Sequence, residues 1–223
     1  MAKTAKEQYA AWQSARQPYL RRAHACSKLT IPTLIPFETE QEQRTVDVQI
    51  EQPYQSVGSV GVNTLSAKML LTLLPPNSPF FKYSMGRKAR EELLQLEGAE
   101  AEEFKAEIEA GLQAREQEIV RDIEATPMRT VLFSVLKHLL VAGNVLYYIG
   151  NQPRAFPIHK YVVRRDAAGN VLKIIVREVV DRSTLPEKLL EAAKRSGELK
   201  DDKEEQDVTI YTVVEREIGR AHV

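Results

Sequence analysis

From Thr4 to Lys28 the residues Tyr9, Trp12, Arg16, Tyr19 and Ala23 recur at three- and four-residue spacings, a period that predicts helix. Pro18 interrupts the line. Either the helix kinks there or a second helix begins with Pro18 in its first turn, where the missing N–H costs nothing. Ile31-Pro32 and Ile35-Pro36 predict extended backbone, because proline pushes the residue before it out of the helical region. Glu38 to Gln52 is polar, with a brief alternation at Val46, Val48 and Ile50, and reads as a loop holding at most a short strand.

A further helix is predicted from Pro53 to Leu74, with Pro53 in its first turn and Val57, Gly58, Gly61, Leu65 and Met69 on one face. Each glycine costs about 1 kcal/mol against alanine inside a helix, so both glycines predict close approach of a neighbouring backbone. Pro75, Pro76 and Pro79 end the helix, and Phe80, Phe81 and Tyr83 read as a short buried extended segment. Glu91 to Glu124 is highly charged; only Phe104, Ile108, Leu112, Ile119 and Ile123 form a narrow apolar stripe, with Gly98 and Gly111 as candidate interruptions. Thr126-Pro127 predicts a new helix with Thr126 as its cap. It runs to Ala142 with apolar residues on two faces (Val131, Leu132, Val135, Leu136, Leu139, Leu140), the pattern of a central core helix packed on the strands that follow. Gly143-Asn144 ends it.

Beyond Asn144 the period changes from helical to two. Val145 to Ile149, Ile158 to Arg165 and Val171 to Val180 read as strands, and Asp166-Ala-Ala-Gly169-Asn170 carries hairpin turn chemistry. Pro186 to Ser196 reads as a short helix with Ser183 or Thr184 near its cap, Gly197 to Gln206 as a charged loop, and Val208 to Val214 as a last strand. Helices first and strands later predict an α+β fold, with N-terminal helices packed on a C-terminal, mostly antiparallel sheet. No internal repeat is visible.

The 223 residues allow one large domain or two small ones. The chain is 43% hydrophobic and 28% charged, which argues against global disorder. Its 31 basic and 31 acidic residues cancel, so no overall field draws it to nucleic acid or to an anionic membrane. A single cysteine, Cys26, rules out an internal disulfide framework. Met1 to Gln8 lacks the apolar core of a signal peptide. The longest apolar run, Val131 to Ile149, is interrupted by Ser134, Lys137, His138, Gly143 and Asn144. Broken in this way, no apolar run reaches the ~18 residues that span a bilayer, and a chain made and folded in a cytoplasm is expected.

The residues do not assemble a catalytic motif. His24, His138, His159 and His222 fit no metal spacing. His24-x-Cys26 offers two zinc ligands without a second pair, and the plainer reading is a surface histidine beside a small buried cysteine. His138 on the core helix reads as a structural, hydrogen-bonded histidine. Gly58-Ser-Val-Gly61 lacks the lysine of a phosphate-binding loop, which leaves packing as its role. Gly86-Arg87-Lys88-Ala89-Arg90, Arg21-Arg22 and Arg164-Arg165 are basic groups that read as solvated surface or as contacts to a partner or to phosphates. Tyr147-Tyr148 and Tyr161 are strand-type aromatics. The glutamates from Glu100 to Glu124 stand beside no second catalytic group. No catalytic residue, cofactor or metal is expected.

Four stretches nevertheless form a set. They are Arg21-Arg-Ala-His-Ala-Cys-Ser-Lys-Leu-Thr-Ile-Pro-Thr-Leu-Ile-Pro36, Pro53-Tyr-Gln-Ser-Val-Gly58 with Leu65-Ser-Ala-Lys-Met-Leu-Leu-Thr-Leu-Leu-Pro75, Leu132-Phe-Ser-Val-Leu-Lys-His-Leu-Leu-Val-Ala-Gly-Asn-Val-Leu-Tyr-Tyr148, and Tyr161-Val-Val-Arg-Arg-Asp-Ala-Ala-Gly-Asn-Val-Leu172. In order and spacing, from Gln8 to Val214, they resemble the N-terminal region of the portal (head-to-tail connector) proteins of short-tailed bacteriophages.

The resemblance implies a structural subunit of a dodecameric ring at one capsid vertex, not an enzyme. Its implied partners are the other portal subunits, the terminase motor, scaffold and capsid proteins, the tail adaptor, and double-stranded DNA passing non-specifically through the channel, with no membrane. The implied location is the virion. Residues 1–217 would be the wing-like region, with stem, clip, tunnel loop and crown lying outside this chain, so that alone it would not close a stable ring. Zero net charge fits a channel through which DNA must slide, since each neutralised phosphate adds affinity. Another phage structural protein, a tail adaptor or minor head protein, would share this profile; an enzyme would need a pocket with convergent polar groups.

The last six residues, Ile218-Gly-Arg-Ala-His-Val223, are expected to be non-native. One reverse translation, ATC GGA AGA GCA CAC GTC with a following TGA stop, reproduces a common short-read sequencing adapter, and the resemblance breaks off just before it. Residues 218–223, His222 included, are then without function. Unprocessed genomic reads are expected to diverge after Glu217 into a longer frame; reads continuing through Val223 into that stop, with no adapter boundary, would show the tail to be genuine.

Overall fold

The computed structural model describes residues 4–36, 53–76, 78–88, 91, 99–195 and 207–216. Its contacts divide the chain into two units, one of Met1–Ser59, Val141–Leu146 and Phe156–Val223, the other of Val60–Leu140 and Tyr147–Ala155. The predicted loop over Glu38 to Gln52, the interruption at Gly98, the charged loop up to Gln206 and the last six residues all lie outside the described residues.

The first unit begins with α1 (Ala5–Ala15). Thr4 starts it with a reciprocal capping box: the Glu7 amide donates to Thr4 Oγ1 at 3.3 Å, and the Thr4 amide donates to Glu7 Oε2 at 2.9 Å. Arg16 breaks the helix, and α2 (Gln17–Leu29) restarts with Pro18 in its first turn, the second of the two readings of that proline. The restart resets the helical register, which is why Tyr9 is buried while Tyr19, on the same predicted line, is 62% exposed. Ile31 and Ile35 are extended as their prolines require, but Pro32–Leu34 between them makes a turn of 3-10 helix. Ser27 closes this corner. Its hydroxyl donates to the Ile31 carbonyl at 2.7 Å and accepts from the Ile35 amide at 3.1 Å.

The sheet of this unit has the order β3-β4-β5, antiparallel throughout, with β3 at Tyr161–Arg165, β4 at Val171–Asp181 and β5 at Asp207–Glu215. Ile158–Lys160, expected as the start of β3, is instead a turn of 3-10 helix. The β3–β4 hairpin follows the turn chemistry: Gly169 has φ +87°, Asp166 Oδ1 accepts from the Asn170 amide at 2.7 Å, and the Gly169 amide donates to the Asp166 carbonyl at 3.1 Å. Register brings Val162, Ile175 and Val213 into one row on one face. Helix α1 lies on that face and drives Tyr9 against Val162 and Ile175, with Trp12 and Tyr211 around them. The Tyr9 and Tyr211 rings meet edge-on at 5.6 Å. The expected α+β arrangement, N-terminal helix on C-terminal antiparallel sheet, is therefore present.

Helix α3 (Val57–Leu73) starts four residues later than expected, leaving Pro53 outside it. Ser56, a residue type that favours the position before a helix, precedes its first turn. Gly58 has the predicted role: a Cβ there would sit 2.6 Å from the Leu29 carbonyl oxygen and 3.1 Å from the Thr30 Cα. Gly61 does not, since a Cβ would meet open space.

In the second unit, α3 ends at the prolines, and Arg129 serves its orphan carbonyls, donating to Leu74 O at 2.6 Å and Pro75 O at 3.1 Å while meeting Glu124 at 3.3 Å. Phe80, Phe81 and Tyr83 form an edge-to-face series with centroids 5.0 and 5.6 Å apart. They are not buried as expected: Phe80 and Tyr83 are each 44% exposed. The Tyr83 amide donates to the buried Glu116 carboxylate at 2.6 Å. Helix α4 (Ala99–Ala125) runs unbroken through Gly111, correcting that expected interruption. Nothing crowds Gly111, and a helix whose other positions are strong formers absorbs about 1 kcal/mol. Thr126 does not cap the next helix; its hydroxyl turns back to the Ile123 carbonyl at 2.8 Å.

Helix α5 (Met128–Ala142) carries buried Val135, Leu136, His138 and Val141, although Leu139 is 41% exposed. It was expected to pack on the strands between Val145 and Val180; most of α5 belongs to the second unit, and of those strands β3 and β4 belong to the first. Gly143, at φ +70°, ends it in the left-handed conformation that favours glycine. A two-stranded ladder, β1 (Leu146–Tyr148) with the unforeseen β2 (Arg154–Phe156), follows, and α6 (Glu187–Arg195) stands before β5. Neither Ser183 nor Thr184 caps α6 through its side chain; Asp181 instead caps the turn Arg182–Thr184 by accepting from the Ser183 amide at 2.7 Å. Leu136 is 3% exposed, so Leu136→Ala is expected to destabilise the fold by about 2–5 kcal/mol. Urea unfolding measures this, and a loss under about 1 kcal/mol would show the site to be loosely packed.

Candidate functional site

The residues of the four resembling stretches meet at joints. Tyr161, at the start of β3, is 2% exposed, and its hydroxyl donates to Asn144 Oδ1 at 2.7 Å, linking the turn after α5 to the sheet. Arg16, from the break between α1 and α2, donates to the Tyr161 carbonyl at 2.6 Å and lies 5.3 Å from the centre of its ring. Burial raises the Tyr161 phenol above its ordinary value, and the Arg16 guanidinium partly opposes that shift. Tyr9 donates its hydroxyl to the His159 carbonyl at 2.7 Å. Each contact satisfies a buried polar atom and fixes one element on another. None presents a nucleophile to a base.

The histidines stay apart. His24 is half-buried, its Nδ1 3.1 Å from the Ile35 carbonyl. Cys26 is exposed, which corrects its reading as a buried residue, and Thr30 rather than a metal ligand bonds the carbonyl of that residue. No group of three or more metal-ligating side chains occurs among the described residues. His138 is buried as expected, but its Nδ1 has no hydrogen-bond partner among the described residues. Burial lowers its pKa from the ordinary 6.5, because the charged ring is disfavoured away from water. Among the described residues no helix is long and apolar enough to cross a membrane.

Two of the basic groups resolve into structure. Arg87 pairs with Glu91 at 3.0 Å on an open surface, and Arg165 donates to the Gly169 carbonyl at 2.9 Å within the hairpin. Arg164 is placed differently. One step of two residues outward from the row Val162, Ile175, Val213, the same sheet face presents Arg164, Lys173 and Glu215 in register. One helical turn on from Tyr9, Trp12 lies over that row, its ring centre 5.9 Å from the Arg164 guanidinium. With Gln8, Ala11, Leu172 and Arg216 these residues line an open cleft of about 520 Å³. Lys173 meets Glu215 at 3.3 Å. Trp12 stands in the helical line of α1, and Lys173 and Arg216 carry no motif; that these residues line one cleft depends on the packing of α1 on the sheet, which sequence spacing does not show.

The whole chain is similar to known proteins. Residues 2–222 match the family described as bacteriophage head to tail connecting protein. The portal protein of Enterobacteria phage T3 is 34% identical over 96% of this chain and 39% of its own length. That of Escherichia phage T7 is 32% identical over 93% of this chain and 38% of its own length, and that of Enterobacteria phage SP6 is 30% identical over 88% and 36%.

A histidine whose folded pKa is depressed contributes stability that is intact above pH 6.5 and is lost as pH falls from there toward the folded value. His138→Gln is therefore expected to flatten the decline of the urea midpoint between about pH 7.5 and 5. A decline identical in slope to that of the unaltered chain would mean that His138 takes up its proton without cost.

Proposed function

Because the chain belongs to the bacteriophage head to tail connecting protein family, we propose that it is a structural piece of a phage portal, the ring that joins capsid to tail and passes the genome in and out. The carrying observation is a match along nearly the whole chain to proteins called portal protein. The chain spans about two fifths of the length of those relatives, so the working of the entire portal is part of the proposal. The packing supports it: the resembling stretches hold joints at Ser27, Gly58, Asn144, Tyr161 and Gly169, as a scaffold requires, and the reading needs no catalytic residue, cofactor or metal.

In this proposal the partners are other portal subunits in a dodecameric ring, the terminase motor, scaffold and capsid proteins, the tail adaptor and non-specifically held duplex DNA, and the location is the virion. Residues 1–217 form the wing-like region and 218–223 are foreign to it; the family match runs five residues past that boundary, to residue 222, which makes sequencing of the source DNA decisive. Antibodies raised against this chain are expected to label virions of the source phage at the single vertex where the tail joins. Label spread over the head shell or along the tail, or no label on intact and partly disrupted virions, would overturn the proposal.

A further inference from the structure

The Trp12 cleft combines three features. It is built on the sheet face that α1 covers, its floor is a charged row, and its wall is an aromatic ring. Arg164, Lys173 and Arg216 line it together with one carboxylate, Glu215, leaving a formal charge of +2 on a chain whose total is zero. Glu215 is 64% exposed in its side chain and pairs only with Lys173 among these cations, so it does not neutralise the site. An acidic segment carrying an apolar or aromatic side chain would satisfy both the cations and the ring.

The chain itself supplies such a segment. Helix α4 holds nine acidic residues against three basic ones, a formal charge of −6. Near its start Phe104 is 49% exposed. Glu107 lies one turn on from Phe104, Glu103 lies beside it, and the two carboxylates share a face at four-residue spacing, all exposed. A ring of more than two identical subunits needs two different, complementary patches on each subunit, because a head-to-tail contact joins unlike surfaces.

We propose that the Trp12 cleft is a subunit–subunit contact, filled in the assembly by the Glu103–Phe104–Glu107 segment of α4 from a second copy of this chain. Phe104 stacks on Trp12, and Glu103 and Glu107 meet Arg164, Lys173 and Arg216. The inference rests on the ring-forming reading above. It can fail while that reading stands, since vertex labelling of virions does not depend on which patch joins the subunits.

The test is sedimentation equilibrium of the full 223-residue chain with two charge-reversed variants, Arg164→Glu/Lys173→Glu and Glu103→Lys/Glu107→Lys. The unaltered chain is expected to associate reversibly at about 50 mM salt and to dissociate at about 500 mM, where the Debye length shrinks to a few ångströms. Each variant alone should associate at least about tenfold more weakly, and an equimolar mixture should recover association to within about threefold. Circular dichroism confirms that each variant is folded; where a reversal unfolds the chain, Arg164→Gln/Lys173→Gln and Glu103→Gln/Glu107→Gln carry the same comparison, with loss in each and no recovery on mixing. A chain that stays monomeric at low salt overturns the proposal, as do variants that associate like the original. So does a labelled DNA duplex whose binding is lost with Arg164 and Lys173 while self-association is unchanged, because the cleft would then serve nucleic acid.

Discussion

The first unit depends on the burial of one tyrosine. Tyr9 leaves 2% of its surface exposed, fills the space above Val162 and Ile175, and bonds through its hydroxyl to the His159 carbonyl, 150 residues away in sequence. A contact that closes so long a loop brings its reward only after the chain entropy has been lost, so it must combine apolar area with a satisfied polar tip. Tyrosine provides both: roughly 200 Å² of ring surface and a hydroxyl that finds an acceptor when buried. The capping box at Thr4 and Glu7 matters because it starts the helix that delivers this ring. Arg16, about two turns on, makes the second attachment two residues further along, at the Tyr161 carbonyl. Two points of attachment fix both the position of α1 and its rotation about its axis, which sets where Trp12 falls.

The stretches that carry the family resemblance are spent on geometry of this kind. Ser27 closes the Pro32 corner, Gly58 lets a helix approach the Leu29 carbonyl, Asn144 accepts from Tyr161, and Gly169 takes a positive φ that side chains resist. An enzyme's characteristic residues converge on a pocket, because the reacting atoms sit at one place. Here they are dispersed among the joints between elements, each satisfying a local backbone or packing demand. That dispersal is what a subunit would show if its task is to hold a shape within a larger assembly.

Much of the fold was legible because local rules govern it. Pro18, Pro75 and Pro76, Gly143 and the Asp166–Asn170 turn mark boundaries through backbone chemistry, and the period-two segments after Asn144 became strands except at Ile158–Lys160, which turns as 3-10 helix. What escaped depends on partners distant in sequence. Gly61 and Gly58 look alike in one dimension, and only the second has a carbonyl 2.6 Å from where a Cβ would stand. Phe80 and Tyr83 are apolar enough to be buried, yet they stack on Phe81 and remain half open. Leu136 and Leu139 belong to the same apolar pattern, and only one of them is covered. Arg129 drew no notice because its task, serving the carbonyls at the end of α3, appears only when the two segments meet.

Neutrality is the property that composition most obscures. Equal numbers of acids and bases are compatible with an even mixture or with strong segregation, and the two have opposite consequences for association. This chain is segregated: α4 is acidic along 27 residues, while strand register sets Arg164 beside Lys173 in a cleft that Trp12 and Arg216 also line. A uniformly charged subunit would repel its copies, and an evenly mixed one would meet them in no preferred register. Separated patches of opposite sign, on a chain with no net charge, attract unlike faces and disfavour like ones. Between copies of one chain, that preference selects head-to-tail contact over back-to-back pairing.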